Sequence, residues 1–413
     1  MMTAKRHRMK ELCEITSSKR IFAADYQPEG IPFYRGKEIT EKHKGNLDVT
    51  TELFIDPEKF EAIRAKFGAP VAGDLLLTSV GTLGSPYVVR AGETFYFKDG
   101  NLTWFRKLKN LDGRYLYYWL LSPHGRAELK KCTIGSSQSA YTIVLLKDME
   151  IDVPPLPTQR KIAGTLSAYD DLIENNLRRI KILEQMAQSL YREWFVHFRF
   201  PGHETADFAD SALGQIPKGW EVKKLETLYR TSSGGTPSRK NLEYYEEGTI
   251  DWVKTGELKD CFVLSSEEKI TAQALSKSSA KLFPANTVLI ALYGATIGQL
   301  GILSRDAATN QACCAILEVE QPFGRAFAYL TLLLRRDDII GLRIGAAQQN
   351  ISQAVLRDFE VICPPIPLLD AFNKRAEAMF DLLLNLQRRN ETLRRTRDIL
   401  LPKLLSGGEN SSE

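Results

Sequence analysis

Polar and basic loops carry the residues whose types and spacing suggest chemistry. The segment Ser232-Ser-Gly-Gly-Thr-Pro-Ser-Arg-Lys240 combines hydroxyl groups, glycine amides and two cations, a mixture suited to contacts with nucleic-acid phosphates. Thr16-Ser-Ser-Lys-Arg20 is its shorter counterpart in the first half of the chain. Asn and Gln in other loops can pair with adenine through two hydrogen bonds, and Arg or Lys can pair with guanine. As a set, the loops predict contact with DNA.

For any single loop residue, a turn or a helix cap is the alternative interpretation. All the candidates lie at predicted strand ends or in predicted loops. The candidate DNA-binding residues are Lys19, Arg20, Arg35, Lys37, Ser79, Thr82, Ser136, Ser137, Gln138, Ser232, Ser233, Thr236, Ser238, Arg239, Lys240, Lys254, Thr255, Tyr293, Thr296, Asn310, Gln311, Gln348, Gln349 and Asn350.

Motifs for catalysis are missing from the sequence. Gly30 to Glu38 contains Gly-Lys like a phosphate-binding loop, but five residues instead of four separate its glycines, and Glu38 replaces the Ser or Thr that binds magnesium. The five histidines do not pair with a candidate nucleophile or a metal cluster, and the six cysteines have no CxxC spacing. We therefore predict no catalytic residue, no metal and no cofactor in this chain.

Length and composition indicate an ordinary globular protein. The 413 residues are 43% apolar and 26% charged, and at roughly 150 residues per domain they suggest two to three domains. A net charge of +4 is too small to indicate nucleic-acid binding through bulk charge, so any basic surface must be local. The basic N-terminus lacks an apolar signal region, and no run reaches the roughly 18 apolar residues of a membrane span. We expect a cytoplasmic protein with no membrane partner.

An internal repeat with a period of about 210 residues organises the chain. Gly135 to Pro157 parallels Gly345 to Pro367, and each copy ends in a PPxP motif. Leu75 to Gly81 parallels Val288 to Gly294. Apolar runs bounded by Gly, Ser and Asn predict strands, and apolar stretches of helical length predict helices. The predicted strands include 74–80, 94–97, 288–293 and 312–317, and the predicted helices 114–121 and 325–335.

A long helix is predicted after each PPxP motif, because proline begins helices well and the residues that follow are almost free of Pro and Gly. Apolar residues then alternate at steps of four and three, the pattern of a coiled-coil seam. The seam residues are Ile162, Leu166, Tyr169, Ile173, Ile180, Leu183, Leu190, Phe372, Met379, Leu383, Leu386, Leu393 and Leu400. We expect the helices to pack on each other; two unrelated amphipathic core helices are the alternative.

Polar residues interrupt this seam at Asn176, Asn390 and Arg397. Single polar residues can fix the register of a coiled coil, or they can mark a place where the seam bends. Arginine pairs on the outer helix faces indicate a solvated surface that can also dock a partner. These pairs are Arg178-Arg179, Arg388-Arg389 and Arg394-Arg395.

Several motifs occur in one order along the chain: the helix starts PPLPTQRKIA and CPPIPLLDAF in tandem, and the opening IPKGWEVKKL with its SGGTPS loop. In these motifs, and over nearly its whole length, the sequence resembles the specificity subunit of Type I restriction-modification enzymes. The first half has Lys5 to Leu12 and TSSKR in place of the fuller forms. The resemblance implies a non-catalytic subunit that recognises double-stranded DNA. Each of its two target-recognition domains specifies one half of a bipartite site.

The implied fold is α+β, with two tandem target-recognition domains, two long antiparallel coiled-coil helices and a pseudo-two-fold internal repeat. We place domain one at 1–153, helix one at 154–200, domain two at 201–363, and helix two with the tail at 364–413. Residues 201–217 are expected to form a surface crossing, and the tail after Ser406 is expected to fray. A seam of about 33 residues would measure roughly 50 Å and set the spacer between half-sites.

The resemblance also implies partners, which would hold the cofactors. Two modification subunits would use S-adenosylmethionine to methylate adenine, and two restriction subunits would use ATP and Mg²⁺ to translocate and cleave DNA. The assembled complex would be an adenine-specific DNA methyltransferase and an ATP-dependent endonuclease, with the helices docking the modification subunits.

Three alternatives stay open at this level. A recognition subunit from a related system that cleaves on both sides of its site would share the same architecture. A fused methyltransferase or nuclease would need a cofactor-binding turn or a metal-binding carboxylate cluster. A coiled-coil scaffold without DNA binding would leave the duplicated, divergent polar loops unexplained.

Overall fold

A computed structural model describes residues 4–46, 49–135, 139–319, 323–342 and 350–406. The chain divides into two compact units, Met1–Asn175 with Glu391–Glu413, and Asn176–Asn390. Each unit combines one mixed α+β domain with one half of each long helix.

The first unit contains twelve described strands, six short helices and parts of both long helices. Its strands are β1 (Lys5–Arg8), β2 (Glu14–Thr16), β3 (Tyr26–Gln27), β4 (Ile31–Tyr34), β5 (Phe54–Ile55), β6 (Leu75–Thr78), β7 (Pro86–Val88), β8 (Tyr96–Phe97), β9 (Leu102–Arg106), β10 (Thr133–Ile134), β11 (Ala140–Tyr141) and β12 (Glu150–Val153). Its helices are α1 (Met9–Leu12), α2 (Gly36–His43), α3 (Pro57–Phe67), α4 (Gly113–Leu121), α5 (Pro123–Lys131), α6 (Ile143–Asp148) and the long α7 (Leu156–Phe195).

The second unit repeats this composition. Its strands are β13 (Phe208–Ser211), β14 (Gly214–Pro217), β15 (Glu221–Lys224), β16 (Tyr229–Ser233), β17 (Ile250–Val253), β18 (Cys261–Val263), β19 (Lys269–Ile270), β20 (Leu282–Phe283), β21 (Val288–Ala291), β22 (Leu300–Leu303), β23 (Ala307–Thr309), β24 (Cys313–Glu318) and β25 (Glu360–Cys363). Its helices are α8 (Leu225–Leu228), α9 (Ala272–Lys277), α10 (Arg325–Leu334), α11 (Arg336–Gly341), α12 (Gln353–Asp358) and the long α13 (Ile366–Leu405).

The two units share much of their strand topology. The sheet β2-β9-β6-β7 of the first unit corresponds to β16-β24-β21-β22-β18 of the second, which has one strand more. A second sheet in each unit contains a parallel pair, β4 with β8 and β17 with β23. A two-stranded antiparallel ribbon, β1 with β12 and β15 with β25, ends just before each long helix. The internal repeat in the sequence is therefore a repeat of strand order.

Matching sequence patterns explain the matching elements. β6 and β21 are buried along their whole length, as expected for short apolar runs that are covered on both faces. Thr142 and Ser352 cap α6 and α12, and each side chain accepts a hydrogen bond from the backbone amide three residues later. The predicted helices at 114–121 and 325–335 are α4 and α10.

The long helices each span 40 residues and begin two residues after the first proline of a Pro-Pro pair. Pro157 and Pro367 occupy the first turn, where the missing N–H removes no helical hydrogen bond. In the second unit the Asn176 amide donates to Asn390 Oδ1 at 2.8 Å, and the Trp194 ring lies 5.9 Å from that of Phe372. Within this unit the two helices therefore run antiparallel.

Burial along the helices follows a wider stripe than the predicted seam. Ile162, Leu166, Ile173, Ile180, Phe372, Leu383 and Leu386 are buried, and Tyr169, Leu183, Leu190, Met379, Leu393 and Leu400 are half-buried. Other buried apolar side chains outside the predicted set are Tyr191, Phe195, Phe380, Leu384 and Leu401. The stripe is wide because each helix packs on a domain as well as on the other helix.

One connection contains a hairpin that the sequence did not predict. The segment 201–217, expected to form a surface crossing, is mostly exposed and includes the antiparallel hairpin of β13 and β14. Gly214, the first residue of β14, has a φ of 93°, which glycine adopts without strain. The short strands contain polar and small residues, so their sequence gives little strand signal. The predicted boundaries at 153 and 363 directly precede the long helices, and as domain limits they stay predictions.

Candidate nucleic-acid interface

The polar loop after β16 is held by two aromatic residues and by close backbone packing. The Trp252 indole N–H donates to Gly235 O at 3.0 Å, and the Tyr245 hydroxyl donates to Pro237 O at 2.7 Å. A Cβ at Gly234 would lie 2.1 Å from Thr309 O, so this position accepts only glycine. The loop is therefore anchored at its base, while Thr236, Ser238, Arg239 and Lys240 stay exposed.

Two cations near this loop share one carboxylate. Arg239 Nη1 lies 2.6 Å from Glu268 Oε2, and Lys254 Nζ lies 2.7 Å from Glu268 Oε1. The Arg239 guanidinium also stacks on Tyr245, 4.4 Å from the ring centroid. Hydrogen bonds from Arg239 and then Lys254 hold the pKa of Glu268 below its usual value. The basic side chains predicted from the sequence are thus partly neutralised.

Side chains from neighbouring strand ends meet the same loop. The Thr236 hydroxyl donates to Gln311 Oε1, and Lys281 Nζ donates to Ser232 Oγ at 3.0 Å. Ser233, which ends β16, is half-buried. Asn310 is half-buried, and its Oδ1 is turned inward without a hydrogen-bond partner among the described residues. The structure therefore brings Thr236 and Gln311 together.

Three further predicted residues of the second unit lie in 3-10 turns or beside them. Thr255 begins the 3-10 turn Thr255–Glu257, and Thr296 ends the turn Gly294–Thr296. Tyr293 is exposed directly before the latter turn and forms an antiparallel bridge with Asn350. The predicted residues Gln348 and Gln349 lie outside the described residues.

The corresponding loop of the first unit, after β2, is shorter and is also anchored by an aromatic residue. The Lys19 amide donates to the Tyr96 hydroxyl at 2.8 Å, and Ser18 Oγ donates to Phe97 O at 2.7 Å. Arg20 is exposed and pairs with Asp99 at 2.8 Å. The loop therefore presents Lys19 and Arg20 from a fixed backbone.

Among the residues that the structure describes, the other predicted residues of the first unit do not form one surface cluster by contact. Arg35 pairs with buried Glu38 three residues later, whereas Lys37 and Thr82 are exposed. Ser79 was expected to contact DNA, but it is only 2% exposed and shares a 2.7 Å hydrogen bond with Thr103 Oγ1. Its hydroxyl is used inside the domain, so we withdraw it as a candidate. The predicted residues Ser136, Ser137 and Gln138 lie outside the described residues.

The residues that hold these loops give no signal of that role in the sequence. Tyr96, Tyr245 and Trp252 support the loops, and Glu268 sets the charge of the second one. The aromatic residues resemble any other core residues in the sequence, and Glu268 lies more than 25 residues from Arg239. Only the fold brings them together.

Within the described part of the chain, no group of three His, Cys, Asp or Glu residues is arranged to hold a metal ion. In the same residues no helix is long and apolar enough to cross a membrane. The six cysteines are unpaired, and Cys261 alone is only half-buried. Burial raises the pKa of the thiols of Cys13, Cys313 and Cys314 to about 12.

Comparison with known proteins gives consistent matches. The family model for the Type I restriction modification DNA specificity domain matches residues 3–185 and again 217–392. The chain is 28% identical over 342 residues to the Type I restriction enzyme MjaIX specificity subunit of Methanocaldococcus jannaschii, covering 81% of this chain and 77% of that one. It is 24% identical to the HindI specificity subunit of Haemophilus influenzae, covering 63% and 69% of the two chains.

A solved structure shares the fold. The crystal structure of the Type-I restriction-modification system S subunit from M. genitalium superimposes with a TM-score of 0.63 at 17% identity, covering 98% of this chain and 96% of that one. The predicted α+β fold with two tandem domains and two long helices is confirmed. Since the family model matches both halves of the repeat, the chain belongs to the Type I restriction modification DNA specificity domain family.

Proposed function

We propose that this chain is the DNA-recognition subunit of a Type I restriction-modification complex. Each domain recognises one half of a bipartite site through its anchored polar loop. The observation that carries this proposal is the duplicated loop: the same strand topology presents Lys19 and Arg20 in one unit, and Arg239 and Lys240 in the other. Because the remaining loop side chains differ, the two domains would recognise different half-sequences.

The chemistry of the complex belongs to partner chains under this proposal. Two modification subunits bind S-adenosylmethionine and methylate adenine, and two restriction subunits use ATP and Mg²⁺ to move and cleave DNA. The chain itself supplies no catalytic group. Its exposed arginine pairs and apolar helix positions, such as Leu172 and Ile182, offer surface for docking the modification subunits.

The two long helices set the spacer between the half-sites. A helix of 40 residues rises roughly 60 Å, which is a little under two turns of B-DNA. Inserting one heptad into α7 after Thr158, with a matched insertion in α13, should lengthen the spacer and leave both half-sequences unchanged. Altered half-sequences with an unchanged spacer would contradict this role.

Genome-wide mapping of methylated adenines tests the function directly. Cells with this chain and its partner subunits should carry methylated adenines in one bipartite sequence, and cells that lack the chain should lose them. Exchanging residues 4–135 for the matching domain of a relative should change one half-sequence only. Methylation that persists without the chain would refute the proposal.

A further inference from the structure

An exposed apolar side chain follows the cation pair in each of the two anchored loops. Phe22 follows Lys19-Arg20, and Leu242 follows Arg239-Lys240, in each case with one residue between. Phe22 and Leu242 are each 64% exposed. Phe22 directly precedes the 3-10 turn Ala23–Asp25, and Leu242 begins the 3-10 turn Leu242–Tyr244. Each side chain therefore lies two positions after a cation pair and within one position of the start of a 3-10 turn.

Neighbouring residues fix the backbone on which these side chains stand. Ile21 is buried in the cluster around Phe33, and Tyr244 is buried in the cluster around Trp252. The Phe22 amide also donates to Asp25 Oδ2 at 3.2 Å. Ile21 and the turn that contains Tyr244 are anchored in the core. The apolar side chains of Phe22 and Leu242 therefore extend outside the core from a fixed backbone. A side chain on a fixed backbone loses only its own rotamer freedom when a ligand buries it.

The positive charges near these two side chains indicate which ligand they contact. A single exposed apolar residue needs no explanation on a protein surface. Here the exposed residue occurs twice, each time two positions after a pair of cations, Lys19-Arg20 or Arg239-Lys240. Cations that neutralise phosphates, combined with an apolar side chain, are the equipment of proteins that wedge a side chain between base pairs.

We infer that Phe22 and Leu242 are apolar wedges, each of which inserts at a base step of the half-site bound by its own loop. This inference rests on the proposed function. Insertion unstacks one step, and pyrimidine–purine steps unstack most easily. The wedges would therefore contribute to sequence preference without any hydrogen bond to a base. The larger Phe22 should unstack its step more fully than Leu242.

The test uses the full-length chain and a duplex with the mapped site, in which 2-aminopurine replaces one base at a time. Its fluorescence rises when the base is unstacked. Phe22→Ala should weaken binding about tenfold and abolish the rise in one half-site, whereas Leu242→Ala should weaken binding about threefold and act on the other half-site. Phe22→Leu should keep most of the affinity, because leucine serves in the second unit.

Salt dependence separates the wedge from the cations. Phe22→Ala should leave the slope of log K against log salt unchanged, and Lys19→Ala should reduce it by about one. Val144→Ala is the matched control, because Val144 is a 70% exposed apolar residue of the same unit and should have no effect. Unchanged melting temperatures would show that the variants fold.

Each other outcome has a definite meaning. If the wild-type chain binds no DNA in a salt-sensitive manner, the proposed function itself fails. If the wild type binds, but both alanine variants bind equally well with unchanged fluorescence, the wedge is wrong and the proposed function stands. If the variants bind DNA normally but no longer co-purify with the modification subunit, Phe22 and Leu242 contact protein, and the wedge is likewise refuted.

Discussion

The fifteenth residue of each long helix contacts the corresponding part of its own domain. The chemistry of this contact differs between the two units. In α7 this residue is Asp170, which accepts a 2.5 Å hydrogen bond from the Tyr118 hydroxyl of α4. In α13 it is Phe380, whose ring packs edge-on against Tyr329 of α10 with 5.4 Å between centroids. The helices α4 and α10 are corresponding elements. The same contact between a long helix and this element is therefore made by a carboxylate in the first unit and by an aromatic ring in the second.

The thirty-second residue of the opposite helix completes the contrast. In the first unit it is Arg397, which binds Asp170 at 2.5 Å. In the second unit it is buried Ala187, which lines a cavity of about 200 Å³ together with Tyr329 and Phe380. In the first unit, Tyr118, Asp170 and Arg397 depend on one another, because each charge needs its partner. In the second unit, the aromatic contact accommodates the cavity beside it.

The largest effect is expected when the polar residue is placed in the aromatic unit. Phe380→Asp should lower the free energy of unfolding by about 4 kcal/mol, because it removes buried apolar area and buries a carboxylate without a partner. Glu184 lines the same cavity, and burial followed by the Asp260 charge already raises the pKa of Glu184. A further carboxylate would therefore meet repulsion. Urea unfolding measures the change.

Adding Ala187→Arg to Phe380→Asp should restore about 1 to 2 kcal/mol, because the guanidinium recreates the ion pair of the first unit. Leu382→Asp is the control on the same helix; Leu382 is 37% exposed, so its loss should stay below about 1 kcal/mol. A double variant no more stable than Phe380→Asp would show that the two positions do not correspond energetically.

The reciprocal change in the first unit should have a smaller effect. Asp170→Asn leaves Arg397 without its half-buried partner and should cost about 2 kcal/mol, less than for a fully buried pair because both side chains keep some exposure. The double variant Asp170→Phe with Arg397→Ala should lie within about 1 kcal/mol of wild type, since an apolar set can replace a buried ion pair. Thermal or urea unfolding decides between these values.

Asp398→Asn provides the comparison for that experiment, because Asp398 also binds Arg397 but is mostly exposed. Its loss should be below about 0.5 kcal/mol. Equal losses for Asp170→Asn and Asp398→Asn would mean that the half-buried contacts of Asp170 with Tyr118 and Arg397 add nothing to the free energy of unfolding.

The loops offer a third comparison, in DNA binding. Glu268 pairs with two cations of the second unit, whereas Asp99 pairs with Arg20 of the first. Glu268→Gln should therefore release more positive charge than Asp99→Asn. We expect a steeper salt dependence, by about one to two in slope for Glu268→Gln and by about one at most for Asp99→Asn. Equal slopes in all three proteins would show that the paired cations do not approach phosphates.

Sequence patterns predicted the helices and strands whose signal lies within a short stretch of the chain. The PPxP motifs and the four-three apolar spacing located both long helices, and buried apolar runs located β6 and β21. The hairpin at 208–217 was missed because its strands are short and polar. The Asp170–Arg397 pair and the Glu268 pairs were missed because their partners are remote in sequence. Ser79 was misassigned because burial of a hydroxyl depends on the fold.

The smallest expected effect concerns pH and the second loop. Hydrogen bonds from Arg239 and Lys254 lower the pKa of Glu268, so its contribution to stability is present above its unfolded value of 4.5 and is lost as pH falls through the lower folded value. Protonation at that point also frees both cations. DNA affinity should therefore rise modestly in the wild type as the pH falls below that unfolded value. Glu268→Gln removes the titrating group, so the part of the rise that disappears in this variant measures how strongly Glu268 restrains the loop.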